Sequence, residues 1–505
     1  MKKYIVFILF SLSVWACNSS DQASNDVTTP AAVTQSQAMP TATPVTTTHV
    51  TNSEPAESPN IKIKIAGAQP GRVRLIGMFT DQQYLADSSR MDANGEILLT
   101  NSINNGEPYK PGLLFLALQS GGTLQLLIDK DQTFSMTTHI NDLVGSMKVE
   151  GSLDNQILYE SSKMESDLQG QINTFSEQMK SQTQGSPAYE NLNTQRAALI
   201  AKRKAGLEKF FQQYPSSFFT SFKRSGQNPD VKNILKADGT LDQVAQVSAY
   251  RREFWDNVDF SDERLLYTPV IANKLKRYIN ELTPQHPDSI INAASVLVNK
   301  SLPYPEYFKY FANWITLNYD PKETTLMDPQ AVYVYIIQNY FTKERALWAS
   351  SPAEIQGLQN RAYEMAASIV GKKGPNVTAQ DHTGQMKSIY DMTAPYIIVY
   401  MYNPDCEHCQ EQTPKLVSFY NEWKNKGVDV YAIAVDTEDQ PWKDYIAKTG
   451  MTFTNVHDPS NRSIYAKYYV DQTPELYVLN PDRIIIGKNL KVNQVETIIN
   501  RDKEK

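Results

Sequence analysis

The feature that most limits the possible folds of this chain is an apolar stretch that runs directly into two closely spaced cysteines. The stretch PYIIVYMY is rich in β-branched and aromatic residues, which predicts a buried central strand. Cys406-Glu407-His408-Cys409 follows it closely, and the next residues predict a helix through Lys424. Further strand and helix patterns alternate to the end of the chain, which predicts an α/β sheet with helices on both faces.

The opposite end of the chain has the pattern of an export signal. Lys2 and Lys3 precede an apolar run that is too short to span a bilayer, and this run ends at Ala16-Cys17. We interpret residues 1–17 as a lipoprotein signal peptide, with Cys17 as the lipidation site and the mature N-terminus. The alternative is an ordinary secretory signal that is cut nearby. Both interpretations predict export.

The remaining chain of this 505-residue protein is too long for one core and divides by pattern. Residues 18–60 are rich in Ser, Thr and Pro, which predicts a disordered tether. Residues 61–152 begin with a strict alternation of isoleucines and continue as short strands between turns, which predicts a small all-β sandwich. Residues 153–370 show helical spacing without a repeat, which predicts an irregular all-α domain. Residues 371–505 form the α/β domain.

The net charge and the cysteine content limit the classes of function that this chain can have. The formal net charge is −6 without a basic face, which argues against nucleic-acid binding. The chain has three cysteines. If Cys17 carries lipid, only Cys406 and Cys409 remain in the folded protein, so a structural disulfide framework is excluded. The pair is a redox couple, part of a metal site, or two inert thiols.

The position of the pair favours redox chemistry. A helix N-terminus presents unpaired N–H groups and partial positive charge, which stabilise a thiolate. Cys406 comes first and is the candidate nucleophile. Cys409 lies one helical turn later and can resolve a mixed disulfide. A cationic His408 favours the thiolate, whereas Glu407 opposes it.

At these residues the sequence resembles the thioredoxin superfamily, and within it the exported thiol-disulfide oxidoreductases of the TlpA type. Pro414 falls five residues after Cys409, where the family has a helix-kinking proline. Thr473-Pro474 stands where the family has a cis-proline pair beside the active site. The resemblance implies a thioredoxin-like domain over residues 371–505, with Thr473 and Pro474 shaping the substrate surface.

The sequence also departs from the family pattern. Thioredoxin has a buried aspartate six residues before the first cysteine, and this position is Tyr400. The residues between the cysteines are Glu-His rather than Gly-Pro, and Asp405 replaces a frequent tryptophan. These differences leave the thiol chemistry in place but change the expected redox potential.

Other chemistries have weaker support. Structural zinc needs about four ligands, and there is no second cysteine pair, so no metal site is predicted; copper would suit soft thiolates best. Peroxide reduction is disfavoured because Asn403 stands where a peroxiredoxin needs Thr or Ser. Adjacent His457 and Asp458 on a strand point apart and are better explained by a turn than by acid-base catalysis.

The sequence therefore predicts a membrane-anchored thiol-disulfide oxidoreductase, more a reductase than an oxidase, lipid-anchored to the inner or outer membrane and facing the periplasm. The expected partners are protein thiols and disulfides of the cell envelope and an inner-membrane electron donor. No cofactor beyond the cysteine pair is expected. The rival predictions are a lipoprotein that binds a partner through a non-catalytic thioredoxin fold, and a copper-handling protein.

Overall fold

The computed structural model describes residues 58–119, 121–320, 324, 326–349 and 351–504. The predicted signal peptide, Cys17 and nearly all of the predicted tether lie outside these residues. The contacts divide the chain into two compact units, of which one ends at Lys274 and the other begins at Leu275. The predicted helical domain 153–370 contributes helices to both units, and its boundaries stay a prediction.

The first unit begins with two four-stranded sheets in its described residues, in the orders β4-β1-β7-β8 and β3-β2-β5-β6. The strands are β1 (Asn60–Ala66), β2 (Gly71–Phe79), β3 (Gln82–Met91), β4 (Glu96–Leu99), β5 (Gly112–Leu118), β6 (Thr123–Ile128), β7 (Thr133–His139) and β8 (Lys148–Glu150). In β1 the isoleucines are buried and the intervening lysines are exposed. This alternation is why the segment forms a strand with one face in a core.

Helices complete the first unit. They are α1 (Leu153–Lys180), α2 (Pro187–Gln213), α3 (Phe218–Ser225), α4 (Gln243–Glu253) and α5 (Pro269–Lys276), the last of which crosses the boundary between the units. Ser152 and Ser186 cap α1 and α2 by accepting backbone N–H bonds, as N-cap serines commonly do.

The second unit begins with helices. A π-helical turn at Arg277–Glu281 is followed by α6 (Pro287–Ser301), α7 (Pro305–Asn318), α8 (Pro329–Tyr340) and α9 (Pro352–Ala366). A proline occupies the first turn of each of these four helices, where its missing N–H costs nothing. Many aromatic side chains are buried here, among them Tyr307, Phe311 and Trp314. These side chains form part of a hydrophobic core.

The α/β part of the second unit holds a five-stranded sheet in the order β13-β12-β11-β14-β15 among its described residues. Its elements are β9 (Thr378–Gln380), β10 (Met386–Ser388), β11 (Tyr396–Tyr402), α10 (Glu407–Trp423), β12 (Val428–Val435), α11 (Asp439–Thr449), β13 (Thr454–Asp458), α12 (Arg462–Tyr468), β14 (Glu475–Leu479), β15 (Ile485–Gly487) and α13 (Val495–Lys503). Every residue of β11 is buried, as expected for a central strand.

The sheet has a hydrophobic core on each face. Side chains of α10, α11 and α13 pack on one face, and side chains of α12 pack on the other. The predicted order of a β-rich region, a helical region and an α/β domain is confirmed. Within the described residues, every helix is too short or too polar to cross a bilayer.

Candidate active site

The two cysteines lie at the junction between the central strand and the helix that follows it. Strand β11 ends at Tyr402, and α10 begins at Glu407. Cys406 is the N-cap residue of α10, and its sulfur accepts the backbone N–H of Cys409 at 3.4 Å. The first cysteine thus occupies the end of a helix where unpaired N–H groups favour an anion.

The turn before the cysteines is fixed by Asn403. Its side-chain N–H groups donate to the carbonyl oxygens of Val435 at 3.2 Å and Asp436 at 2.9 Å, which lie at the end of β12. Its side-chain oxygen accepts the backbone N–H of Asp405 at 2.8 Å. These bonds tie the motif to the carboxyl edge of the sheet.

The two thiols have different surroundings. Cys406 is half-buried, and its thiol donates to the carbonyl oxygen of Thr473 at 3.2 Å. Cys409 has no exposed surface, and its sulfur accepts the backbone N–H of Asn403 at 3.5 Å. Only Cys406 is therefore open to a large partner.

The two thiols also differ in pKa. Burial acts to raise the pKa of Cys406, but hydrogen bonds from Cys409, from the Thr473 side chain and from the backbone N–H of His408 outweigh it and lower the pKa below its usual value. Burial raises the pKa of Cys409 to about 12. The accessible sulfur is therefore also the one that ionises more easily, which is what a nucleophile and resolving pair requires.

The side chains between the cysteines point to solvent. His408 and Glu407 are both exposed. The backbone N–H of His408 contributes a hydrogen bond that lowers the pKa of Cys406. Tuning of the thiol by the His408 and Glu407 side chains stays a prediction.

The Thr473-Pro474 pair lies beside the cysteines, and its peptide bond is cis. The contact between Cys406 and the Thr473 carbonyl places this pair next to the exposed sulfur. Pro414 lies inside α10, as the family pattern implies. The structure thus brings four predicted site residues together, namely Cys406, Cys409, Thr473 and Pro474. Their roles in the reaction stay predictions.

Three tyrosines form a stack behind Cys409. Tyr400 and Tyr402 stack with ring centroids 5.5 Å apart, and Tyr402 stacks on Tyr445 at 5.6 Å. Tyr400 shares a hydrogen bond with Thr413 at 2.9 Å, and Tyr445 donates to the Cys409 carbonyl at 3.3 Å. Burial raises the pKa of Tyr400 far above its usual value. Where thioredoxin has an acid, this protein has a hydroxyl that stays protonated.

Glu475, the residue directly after the cis-proline, belongs to a buried charge cluster that the sequence did not predict. Glu475, Lys488 and Asp328 have 3%, 1% and 1% of their surface exposed. Glu475 accepts the Tyr477 hydroxyl at 2.5 Å, and the Lys488 ammonium lies 4.9 Å from the centre of the Tyr477 ring. Burial lowers the pKa of Lys488, while the three acidic neighbours Asp328, Glu475 and Asp471 act to raise it. The one signal in the sequence is a charged residue directly after the cis-proline.

The contacts of His457, a weaker candidate for catalysis, are those of a residue that supports the fold. Its Nε2 lies 2.7 Å from the Thr437 carbonyl oxygen, and its ring stacks on Trp442. Asp458 accepts the backbone N–H of Ile464 at 3.1 Å. Among the residues that the structure describes, no three or more His, Cys, Asp or Glu side chains are grouped to hold a metal ion.

Comparison with known proteins agrees with this geometry. Residues 370–495 match the AhpC/TSA family. Thiol-disulfide oxidoreductase ResA of Bacillus thuringiensis is 25% identical over 126 residues, which cover 24% of this chain and 72% of that protein. ResA of Bacillus subtilis is 25% identical over 122 residues, covering 24% of this chain and 65% of that protein.

Two solved structures are also similar to parts of this chain. A domain of a possible thiol-disulfide isomerase from Cytophaga hutchinsonii is 31% identical, covers 27% of this chain and 94% of its own, and has a TM-score of 0.26. A thioredoxin-like protein from Bacteroides caccae is 18% identical, covers 54% of this chain and 97% of its own, and has a TM-score of 0.45.

The C-terminal domain belongs to the thioredoxin superfamily, as the sequence predicted. The relatives that share this domain are named thiol-disulfide oxidoreductases, and the predicted enzyme class is confirmed at that level.

Proposed function

We propose that this protein is a lipid-anchored thiol-disulfide oxidoreductase of the cell envelope, in which Cys406 is the nucleophile and Cys409 the resolving cysteine. The observation that carries the proposal is the unequal pair. Cys406 caps a helix, is accessible and has a lowered pKa, whereas Cys409 is fully buried and has a raised one.

The reaction follows from this inequality. The Cys406 thiolate attacks one sulfur of a partner disulfide, a new S–S bond forms, and the partner's other sulfur leaves as a thiolate that takes up a proton. Cys409 then loses its proton and attacks the Cys406 sulfur, which releases the partner's second thiolate. The partner gains two electrons, and Cys406 and Cys409 become a disulfide. A dithiol donor returns the two electrons, so no organic cofactor is required.

The direction of electron flow rests on the motif. A stabilised thiolate makes a pair more oxidising, because it favours the reduced form. Cys406 is only half-buried. The acidic residues Asp405 and Glu407 flank it, and their negative charges oppose the formation of a thiolate on Cys406. This balance supports a reductase that acts on envelope protein disulfides, and the resemblance to the TlpA type suggests an inner-membrane electron donor. Thr473 and Pro474 form the surface that receives the substrate backbone.

Trapping of partners by single-cysteine variants tests the proposed activity. Capture that depends on Cys406 supports an oxidoreductase. A pair that captures no partner and instead binds metal stoichiometrically supports copper handling, and a pair that does neither supports a binding protein. Both of the latter results contradict the proposal.

The membrane anchor is tested separately. Changing Cys17 to serine removes the sulfur that would carry lipid. We expect the full chain expressed in a Gram-negative host to move from the membrane fraction to the soluble fraction, with loss of the lipid mass. Cys409→Ser serves as the control, since it changes a cysteine without touching the anchor. Unchanged membrane association and mass in Cys17→Ser would contradict lipid attachment at this residue.

A further inference from the structure

The segment that carries Thr473 and Pro474 starts from an unusual backbone conformation. Tyr469 has a φ of 57°, in the left-handed region that bulky residues rarely adopt. Such a conformation persists only when the surrounding structure fixes it, and it is typical of functional segments. The contacts of Tyr469 therefore show what fixes the start of the segment.

Those contacts come from the helix that precedes the thioredoxin-like domain. Arg361 of α9 donates from Nε to the Tyr469 hydroxyl at 2.7 Å, and its guanidinium lies 5.9 Å from the centre of the Tyr469 ring. The same guanidinium pairs with Asp320 at 3.1 Å and lies 5.1 Å from the centre of the Tyr333 ring. The contacts with Asp320 and Tyr333 thus fix the orientation of the planar Arg361 guanidinium that donates to Tyr469.

A second bond fixes the adjacent residue. The Ser368 hydroxyl, just after α9, donates to the carbonyl oxygen of Tyr468 at 2.8 Å. Ser368 has no exposed surface, so water does not compete for this bond. The Tyr477 hydroxyl lies 3.3 Å from the same oxygen and also donates to Glu475, the residue after Pro474. The two ends of the segment are thereby linked.

The far end of the segment is held by charge from the same helical region. Glu475 and Asp328 both attract the buried ammonium of Lys488. Asp328, just before α8, also accepts the Val370 backbone N–H at 2.7 Å. Groups that lie before residue 371 therefore contact the start of the segment directly and act on its far end through Lys488.

We propose that Arg361 and Ser368 are positioning residues for thiol-disulfide exchange, and that they hold the segment from Tyr468 to Glu475 so that the Thr473 carbonyl meets the Cys406 thiol. The substrate they serve is a polypeptide disulfide whose backbone lies along Thr473 and Pro474. This inference rests on the proposed function. It assigns to the helical region a part in the reaction that the thioredoxin-like domain does not supply alone.

The test uses the full chain with Arg361→Met, which keeps side-chain length but removes the charge and the donor, and Ser368→Ala, which removes one hydroxyl. With a peptide-glutathione mixed disulfide as substrate, we expect each variant to raise KM about tenfold while kcat changes much less, as for loss of a buried or charged hydrogen bond. The pH midpoint for alkylation of Cys406 should rise as well, because the hydrogen bond from the Thr473 side chain, which lowers the pKa of Cys406, is weakened. Arg361→Lys should recover part of the KM, since it keeps the charge without the fork.

Arg345→Met is the matched control. Arg345 also lies over a tyrosine ring in the helical region, 5.6 Å from the centre of Tyr340, and its guanidinium donates to the Asn339 carbonyl oxygen at 2.8 Å instead of to the segment. It should leave KM and the alkylation midpoint unchanged. If Arg361→Met and Ser368→Ala both behave like Arg345→Met, or lower kcat alone, the inference is wrong. If the unaltered protein shows no turnover, the proposed function fails, and the alkylation midpoint still decides whether Arg361 and Ser368 position Thr473.

Discussion

Changing Cys409 to alanine in the full chain will convert a transient mixed disulfide into a stable one, and changing Cys406 to alanine will abolish disulfide exchange. In Cys409→Ala the exposed sulfur still attacks a partner disulfide, but no second sulfur is present to release it. We expect partners to accumulate as bands that disappear on reduction. Identification of those bands by mass spectrometry would give the natural substrates.

In Cys406→Ala the remaining sulfur cannot take over. Cys409 has no exposed surface, and burial raises its pKa to about 12. At pH 8 the buried Cys409 thiol would therefore stay protonated in almost every molecule. Turnover of a peptide-glutathione disulfide should fall at least about 10³-fold, the scale expected when a nucleophile is lost.

The control is the double variant that lacks both cysteines, made in the same Cys17→Ser background as the single variants so that no other thiol is present. It should trap nothing. Equal trapping by both single variants, or trapping by Cys406→Ala alone, would show that the roles of the two sulfurs are assigned wrongly.

Changing Glu475 to glutamine will change how stability depends on pH. Burial raises the pKa of Glu475 to about 7, although Lys488 and the Tyr477 hydroxyl act to lower it and Asp471 acts to raise it. Because the folded pKa lies above the unfolded one, the native state holds the proton more tightly. The stabilisation is complete below about pH 4.5 and is lost as pH rises through about 7. A difference of this size is worth about 3 kcal/mol.

Glutamine keeps the shape of the protonated acid but does not ionise. The change in the free energy of unfolding caused by Glu475→Gln should therefore be more favourable at pH 8 than at pH 5, by about 3 kcal/mol. Hydrogen exchange of the β14 amides in increasing urea measures this difference at both pH values. Glu496→Gln, which removes an exposed carboxylate from α13, is the control. An equal effect of Glu475→Gln at both pH values would contradict a raised pKa at this residue.

The candidate site could be predicted from the sequence where its signals are local. A buried strand, two cysteines at a helix start, Pro414 and the Thr473-Pro474 pair each occupy a few consecutive residues, and the family spacing connects them. The alternation in β1 was equally clear, because a strand with one buried face imposes a period of two.

The parts that could not be predicted depend on residues that are distant in sequence. Glu475 looks like an ordinary strand end until Lys488 is seen to be buried beside it, with Asp328 acting on Lys488 in turn. Arg361 lies in a helix whose spacing shows only which face is apolar, and its bond to Tyr469 spans 108 residues. The division of the helical region near Lys274 was also invisible, because helical periodicity is the same on both sides of it.

We propose that Cys406 and Cys409 exchange two electrons as a reversible pair that favours reduction of partners. Equilibration of the full chain with defined ratios of reduced and oxidised glutathione, followed by alkylation and mass measurement, tests it most directly. We predict one two-electron transition in which both thiols disappear together, with a potential below roughly −150 mV and nearer that of thioredoxin than that of the strong oxidant DsbA. Two thiols that remain open to alkylation in denaturant at every ratio would contradict the claim of a redox pair, and a potential above that value would contradict the reductase direction.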